Sequence, residues 1–291
     1  MALRIGQILR GAKGNYELLS SLKGSTVFKA KVLSSPSTQA EWAMVKTAAT
    51  ADEKMCLRRE YRNYRIEDIA SSPYIRALCD TVSDEDQDSP SCLVFEWMDY
   101  DLRSVTAPEF RSNPRLPRAV STAVLSVLRV LKTLNAVHTD VNPNNIYVAH
   151  IDGNAPVAKL GDLGNMIRDG SATQRAQSLP CRAPEVWRGL ACQHSSDIWS
   201  LGATLTTALS PLMLFGPADK IIEGQTEAWC IAKIIRLVGP LGQPINNQTY
   251  KDEFELAEQL EVMDHPLGLM KLISRRHWRV ELQDIPDPPV P

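Results

Sequence analysis

The stretch "NAVHTDVNPNNIYV", Asn135 to Val148, sets His138, Asp140, Asn142, Asn144 and Asn145 around a proline. Runs of Asn, Asp and Pro usually mark a surface turn. Here apolar residues bracket the run, Ala136 and Val137 before it and Ile146 to Val148 after it. A polar knot pinned between core-forming segments is a place where fixed side chains can act on a ligand. Downstream lie "VAKLGDLGNM", which holds the Asp162 carboxylate at a tight turn, then "SLPCRAPEVW" and "SSDIWSLG". Upstream, Lys46 ends a strand-like segment and Glu60 falls on a predicted helix.

In this order the set resembles the protein kinase family over roughly residues 16–235: a strand lysine, a helix glutamate, H-x-D-x-x-x-x-N, D-x-G, A-P-E and D-x-W-x-x-G. The resemblance implies phosphoryl transfer from ATP, which needs positioning and charge neutralisation more than covalent catalysis. It implies that Lys46 holds the α- and β-phosphates while Glu60 fixes its direction. Asp162 would hold the metal bridging phosphate oxygens. Asn145 would hold a second, since an amide oxygen is a hard ligand suited to Mg²⁺. Asp140 would take the proton of the incoming hydroxyl. The ATP-binding positions of the family fall on Leu19, Val27, Lys46, Glu96, Met98 and Tyr147. Glu96, Trp97 and Met98 match the hinge, and Phe95 the residue guarding the back pocket. Asp197 would brace the catalytic loop, Glu185 would pair with an arginine, and Ser178 matches a threonine that contacts the catalytic aspartate.

Five departures from the family pattern stand out. Ser20, Leu22 and Ser25 occupy the glycine positions of the phosphate loop, although glycine is what lets backbone N–H groups approach phosphate closely; Gly24 is the partial substitute. Thr139 replaces the arginine that reads an activation-loop phosphate, which implies that this chain is not switched on that way. Asn142 replaces the catalytic-loop lysine, and losing one such donor costs ~10²–10³ in rate. Met44 and Tyr147 narrow the adenine pocket. By the resemblance, the last family helix is missing or replaced by the proline-rich tail, Arg275 or Arg276 is the best candidate partner for Glu185, and the insert "VGPLGQP" is similar to that of the cyclin-dependent and mitogen-activated groups.

The elements that must position these residues are legible in outline. "NYELLSSL" and "STVFKAKVL", with Lys23-Gly24-Ser25 between them, read as a hairpin. "EWAMVKTA" reads as a further strand and "SCLVFEWM" as a central one. "ADEKMCLRREYRNYRIEDIA" reads as a helix with Met55, Arg59 and Arg62 to Tyr64 on one face. A helix follows Pro117, with Val120, Val124, Val127, Leu128, Leu131 and Leu134 at helical spacing. "SDIWSLGATLTTAL" and "TEAWCIAKIIRLVG" read as helices capped by Ser or Thr. Asp84 to Asp88 reads as a solvated acidic loop, and "IPDPPVP" as an extended or disordered tail. The fold expected is α+β and two-lobed, kinase-like. Residues 1–96 form a small β-rich lobe and 97–291 a larger helical lobe, and a cleft between lobes is a favoured ligand site.

Composition bounds the rest. The 291 residues are 44% hydrophobic and 23% charged, an ordinary globular profile. Lys plus Arg is 32 and Asp plus Glu 34, a net charge of −2, which argues against a nucleic-acid partner held by charge. No apolar run approaches the ~20 residues that span a bilayer, so no membrane partner is expected. The six scattered cysteines contain no CxxC pair and read as reduced packing thiols, in keeping with an intracellular protein, cytoplasmic or nuclear. The opening "MALRIGQILRGAKG" has three basic residues and no acid, which fits either a transit peptide or a lead-in packed on the first sheet.

Two functions follow. One is an ATP- and Mg²⁺-dependent kinase acting on Ser or Thr of a protein substrate. The other is a pseudokinase scaffold that binds nucleotide weakly or not at all and works through a partner.

Overall fold

The computed structural model describes residues 3–34, 40–83, 89–171, 175–210 and 214–264. The acidic loop at 84–88, the proline-rich tail and Arg275 and Arg276 lie outside them. The chain divides into two compact units. The first is Met1–Asp99 with Lys159–Met166; the second is Tyr100–Ala158 with Ile167–Pro291. The sequence division at 96/97 has no counterpart of this return. Its cause is main-chain bonding: Leu160 donates to the Tyr74 carbonyl at 2.9 Å, and Arg76 donates to the Leu160 carbonyl at 2.9 Å.

The first unit is an antiparallel sheet of six strands: β1 (Ile8–Arg10), β2 (Asn15–Lys23), β3 (Val27–Ser34), β4 (Trp42–Thr47), β5 (Leu78–Val82) and β6 (Cys92–Glu96). Their order is β1-β2-β3-β4-β6-β5. The β2–β3 hairpin turns at Gly24, whose φ of +52° suits glycine. Leu18 pairs with Ala30 and Ser20 with Lys29, so Leu19 is the extra residue of a bulge. The lead-in does pack on the sheet, with Leu9 opposite Tyr16. β6 lies between β4 and β5, as a continuous apolar run should; Leu93 and Val94 are fully buried.

The helical segment of this unit is two helices, α1 (Ala51–Tyr64) and α2 (Glu67–Ala70), separated where Ile66 turns extended. Thr50 and Glu53 close a capping box at the start of α1. Its buried face is Leu57, Glu60 and Tyr64, not one containing Met55, which is 54% exposed. The inward face is chosen by an ion pair at Glu60, and hydrophobic spacing does not register it.

The second unit holds β7 (Tyr100–Asp101), α3 (Ala107–Ser112), α4 (Arg115–Thr133), β8 (Ala136–Val137), β9 (Ile146–Ala149), β10 (Val157–Leu160, finishing in the first unit) and β11 (Ile167–Arg168). It continues with α5 (Pro184–Trp187), α6 (His194–Leu209), α7 (Thr226–Val238) and α8 (Gln248–Val262). Val120, Val124, Val127, Leu128 and Leu131 form a buried stripe on α4, as predicted; the helix starts two residues before Pro117 and so adds Leu116 to the stripe, while Leu134 is its half-buried C-cap. Each such side chain is worth about 1.5–3 kcal/mol over exposure. The caps of α6 and α7 differ from expectation. Gln193 stands at the N-cap of α6 and its backbone N–H donates to Ser196 Oγ at 3.0 Å, while Gln225 precedes α7 with no side-chain cap bond. All six cysteines are free thiols. No helix among the described residues is long and apolar enough to cross a membrane.

Candidate functional site

Each unit carries a polar cluster built from residues that the sequence singles out. In the first, β4 fixes Lys46 between Val27 and Leu93 in the sheet register. Its Nζ lies 2.7 Å from Glu60 Oε2 and 2.9 Å from Asp162 Oδ1. α1 supplies Glu60, whose side chain is only 2% exposed. The returning segment supplies Asp162, with φ +59° at the start of the 3-10 turn Leu163–Asn165. Asn63 pins that turn by donating Nδ2 to the Leu163 carbonyl at 2.7 Å.

Burial opposes the charge on Lys46, but Glu60 and Asp162 outweigh it and hold the ammonium pKa above its ordinary value. Burial pushes the Glu60 carboxyl up, and Lys46 pulls it back. The lysine is therefore a fixed cation with two carboxylates set on it.

The other first-unit positions lie around this sheet. Leu19 is in the β2 bulge and Val27 opens β3, both half-buried. Leu22 is 49% exposed. Met98 is buried, and Phe95 is buried edge-on to Tyr64 at 5.0 Å between centroids. Glu96 is already engaged. Its Oε1 accepts from Lys159 Nζ and from the Ala77 N–H, both at 2.6 Å. Its carbonyl accepts from Arg76 Nε at 2.9 Å. Arg76, 3% exposed with Nη1 3.9 Å from Met44 Sδ, is a residue that sequence reasoning missed. A lone arginine inside "PYIRALC" was the available signal.

In the second unit the polar knot runs from β8 to β9. His138 is fully buried and Thr139 nearly so, with φ +65°, a region that a β-branched residue rarely enters. What holds it there is Asp197 on α6. Asp197 Oδ2 accepts the His138 N–H at 2.6 Å, and Oδ1 accepts the Thr139 N–H at 3.0 Å. Burial raises the Asp197 carboxyl, against the pull of His138 and these two amides.

Asp140 stands at the end of that braced backbone. Asn142 Nδ2 donates to Asp140 Oδ1 at 2.7 Å, and Asn145 Nδ2 donates to Oδ2 at 2.9 Å. Two amides thus orient the carboxylate. Asn142 Oδ1 in turn accepts the Asn144 N–H at 2.9 Å. Tyr147 follows on β9, half-buried.

Gln177, also unforeseen, holds the segment before α5 at φ +70°. Its Nε2 donates to Ser200 Oγ at 2.8 Å, and its Oε1 accepts the Ala183 N–H at 2.9 Å. Ser178 precedes the 3-10 turn Leu179–Cys181. Glu185 Oε1 accepts from Ser196 Oγ at 2.5 Å.

Among the described residues, no group of three or more His, Cys, Asp or Glu side chains could hold a metal ion. The Asp162 carboxylate and the Asn145 amide oxygen are nonetheless hard oxygen donors of the kind that Mg²⁺ takes, beside water and phosphate oxygens.

A family model described as "Protein kinase domain" matches residues 23–269. The chain is 31% identical over 156 residues to "Serine/threonine-protein kinase ppk15" of Schizosaccharomyces pombe, covering 53% of this chain and 27% of that protein. It is 30% identical over 151 residues to "Cyclin-dependent kinase C-3" of Oryza sativa, covering 50% and 43% respectively. It is 28% identical over 156 residues to "Dual specificity protein kinase YAK1" of Saccharomyces cerevisiae, covering 53% and 18%. The matched region thus spans less than half the length of each of these relatives.

Proposed function

Because the chain belongs to the protein kinase domain family, we propose that it transfers the γ-phosphate of ATP to a Ser or Thr hydroxyl of a protein substrate. The observation that carries this reading is Lys46, held as a cation between Glu60 and Asp162 at 2.7 and 2.9 Å. A buried ion pair is weak evidence for stability, so a lysine fixed by two carboxylates is better explained as a positioned phosphate ligand.

In the proposed reaction Asp140 accepts the substrate hydroxyl proton. The hydroxyl oxygen bonds to the γ-phosphorus, the bond from that phosphorus to the β–γ bridging oxygen breaks, and ADP leaves with the electron pair. Lys46 holds the α- and β-phosphates, and Glu60 keeps it aimed. Leu19, Val27, Met98, Tyr147 and the Glu96 backbone would line the adenine. Asp162 would hold one Mg²⁺ and Asn145 a second, and these would supply charge neutralisation at the phosphate oxygens.

The second reading is a pseudokinase, and Asn142 favours it. Its amide is bonded to Asp140 and Asn144, and it brings no positive charge to a transferring phosphoryl group. The test is transfer from labelled ATP, with Mg²⁺ or Mn²⁺, to generic Ser/Thr substrates, beside an Asp162→Asn control. Transfer that disappears in the control supports the enzyme. Absence of both transfer and metal-dependent ATP binding refutes it and supports the scaffold. Binding is read as a stability gain, about 2.7 kcal/mol at 100 times Kd.

A further inference from the structure

A groove of about 400 Å³ lies between α4 and α6. Its lining includes Leu125, Leu128 and Ile198 on the apolar side and Arg129, Lys132 and His194 on the basic side. Leu125 and Ile198, large apolar side chains that both line it, are 46% and 48% exposed. The phosphoryl-transfer reading uses none of these six residues.

The charges do not cancel locally. Arg129 and Lys132 are exposed, and no carboxylate among the described residues pairs with either. His194 is engaged. Its N–H donates to Asp169 Oδ1 at 3.1 Å, and its Nε2 lies 3.6 Å from Asp169 Oδ2. The one carboxylate in the lining, Asp197, is buried and receives the His138 and Thr139 amides. What faces outward is an apolar strip with two unmatched cations one helical turn and less apart on α4.

We propose that this groove is a docking site for an acidic peptide segment of a partner protein, its bulky apolar side chains seated between Leu125 and Ile198 and its carboxylates on Arg129 and Lys132. Apolar anchors supply the affinity, and the rim charges supply the choice of partner. The floor of the groove is Asp197, whose oxygens hold the backbone immediately before Asp140. An occupant therefore packs against the brace of the polar knot. The docking reading does not require phosphotransfer, since a catalytically silent chain would have the same groove.

The test uses the full chain and a fluorescein-labelled peptide of about ten residues, with leucines one helical turn apart among glutamates. Saturable binding is expected by anisotropy. It should weaken about tenfold or more in the double variant Arg129→Glu/Lys132→Glu, and likewise when every peptide glutamate becomes glutamine. Both substituted positions are exposed, so an unchanged melting temperature checks that the variant folds. The His138 and Thr139 amides should exchange more slowly with peptide bound. The proposal is overturned if the glutamine peptide binds equally well, if charge reversal leaves binding intact, or if no binding occurs. It is also overturned if sedimentation shows the chain pairing with itself through this face, sensitive to Ile198→Asp.

Discussion

Replacing Lys46 by methionine keeps the length of the side chain and removes its charge. Glu60, 2% exposed, then loses the ammonium 2.7 Å away and keeps the nearby Asp162 charge. Removing one partner of a buried pair costs about 3–5 kcal/mol, because an uncompensated charge stays behind. That is a large share of the ~5–15 kcal/mol typical of a folded domain. The sign of the pH dependence follows from Glu60. Burial raises its folded pKa above the unfolded value, and without Lys46 the rise is larger. A group with a raised folded pKa is least harmful below its unfolded pKa, where it is protonated in both states. Stability is lost as pH climbs from there toward the folded pKa, at up to about 1.4 kcal/mol per pH unit. Urea unfolding of Lys46→Met across about pH 5 to 8.5 should therefore show a deficit that widens with pH. Adding Glu60→Gln should remove most of the widening. A deficit independent of pH, or one that Glu60→Gln leaves unchanged, would refute the buried-charge argument.

Asp197→Asn retains one acceptor for two backbone amides. It should destabilise the second unit by about 1–3 kcal/mol and speed amide exchange at His138 and Thr139, read by exchange mass spectrometry. Burial pushes the Cys192 and Cys230 thiols up to about 12. Near pH 8 a disulfide reagent should therefore miss both in the native chain and reach them only on unfolding, as counted by released thiolate. Asn142→Lys restores a cation beside the reacting phosphoryl and should raise transfer by about tenfold or more in the labelled-ATP assay. An unchanged rate would mean that losing the orientation of Asp140 by the Asn142 amide cancels the gain from the charge, and a lower rate that it outweighs it.

The sequence yielded the elements whose hydrophobic period is set by simple packing. The β2–β3 hairpin, β6 and the buried stripe of α4 belong here, because each presents one apolar face to one core. It failed where a polar contact decides. Glu60 turns α1 inward through Lys46, a residue on another element. β5 went unforeseen because "LCDTV" buries Asp80, which accepts from Tyr16 at 2.9 Å and from the Lys13 N–H at 2.8 Å. α8 has no counterpart among the predicted helices; it buries only Phe254, Ala257 and Leu260 along its length. The candidate site was legible as residue types in order. That Asn142 and Asn145 both bond to Asp140, and that Arg76 holds the Glu96 carbonyl, are consequences of side-chain direction, and spacing does not encode that.

The first unit is closed by a segment that arrives late. Asp99 and Lys159 are sixty positions apart in the chain, yet both belong to it. A ribosome adding about 5–20 residues per second releases the six strands several seconds before the stretch that completes them. During that interval Lys46 has Glu60 but no Asp162, Asn63 has no Leu163 carbonyl, and the Arg76 N–H has no Leu160. The backbone at Tyr74 to Arg76, outside the six strands, is then without its Leu160 bonds and open to chaperones and proteases. A stalled or truncated chain ending before residue 159 would present that same segment indefinitely.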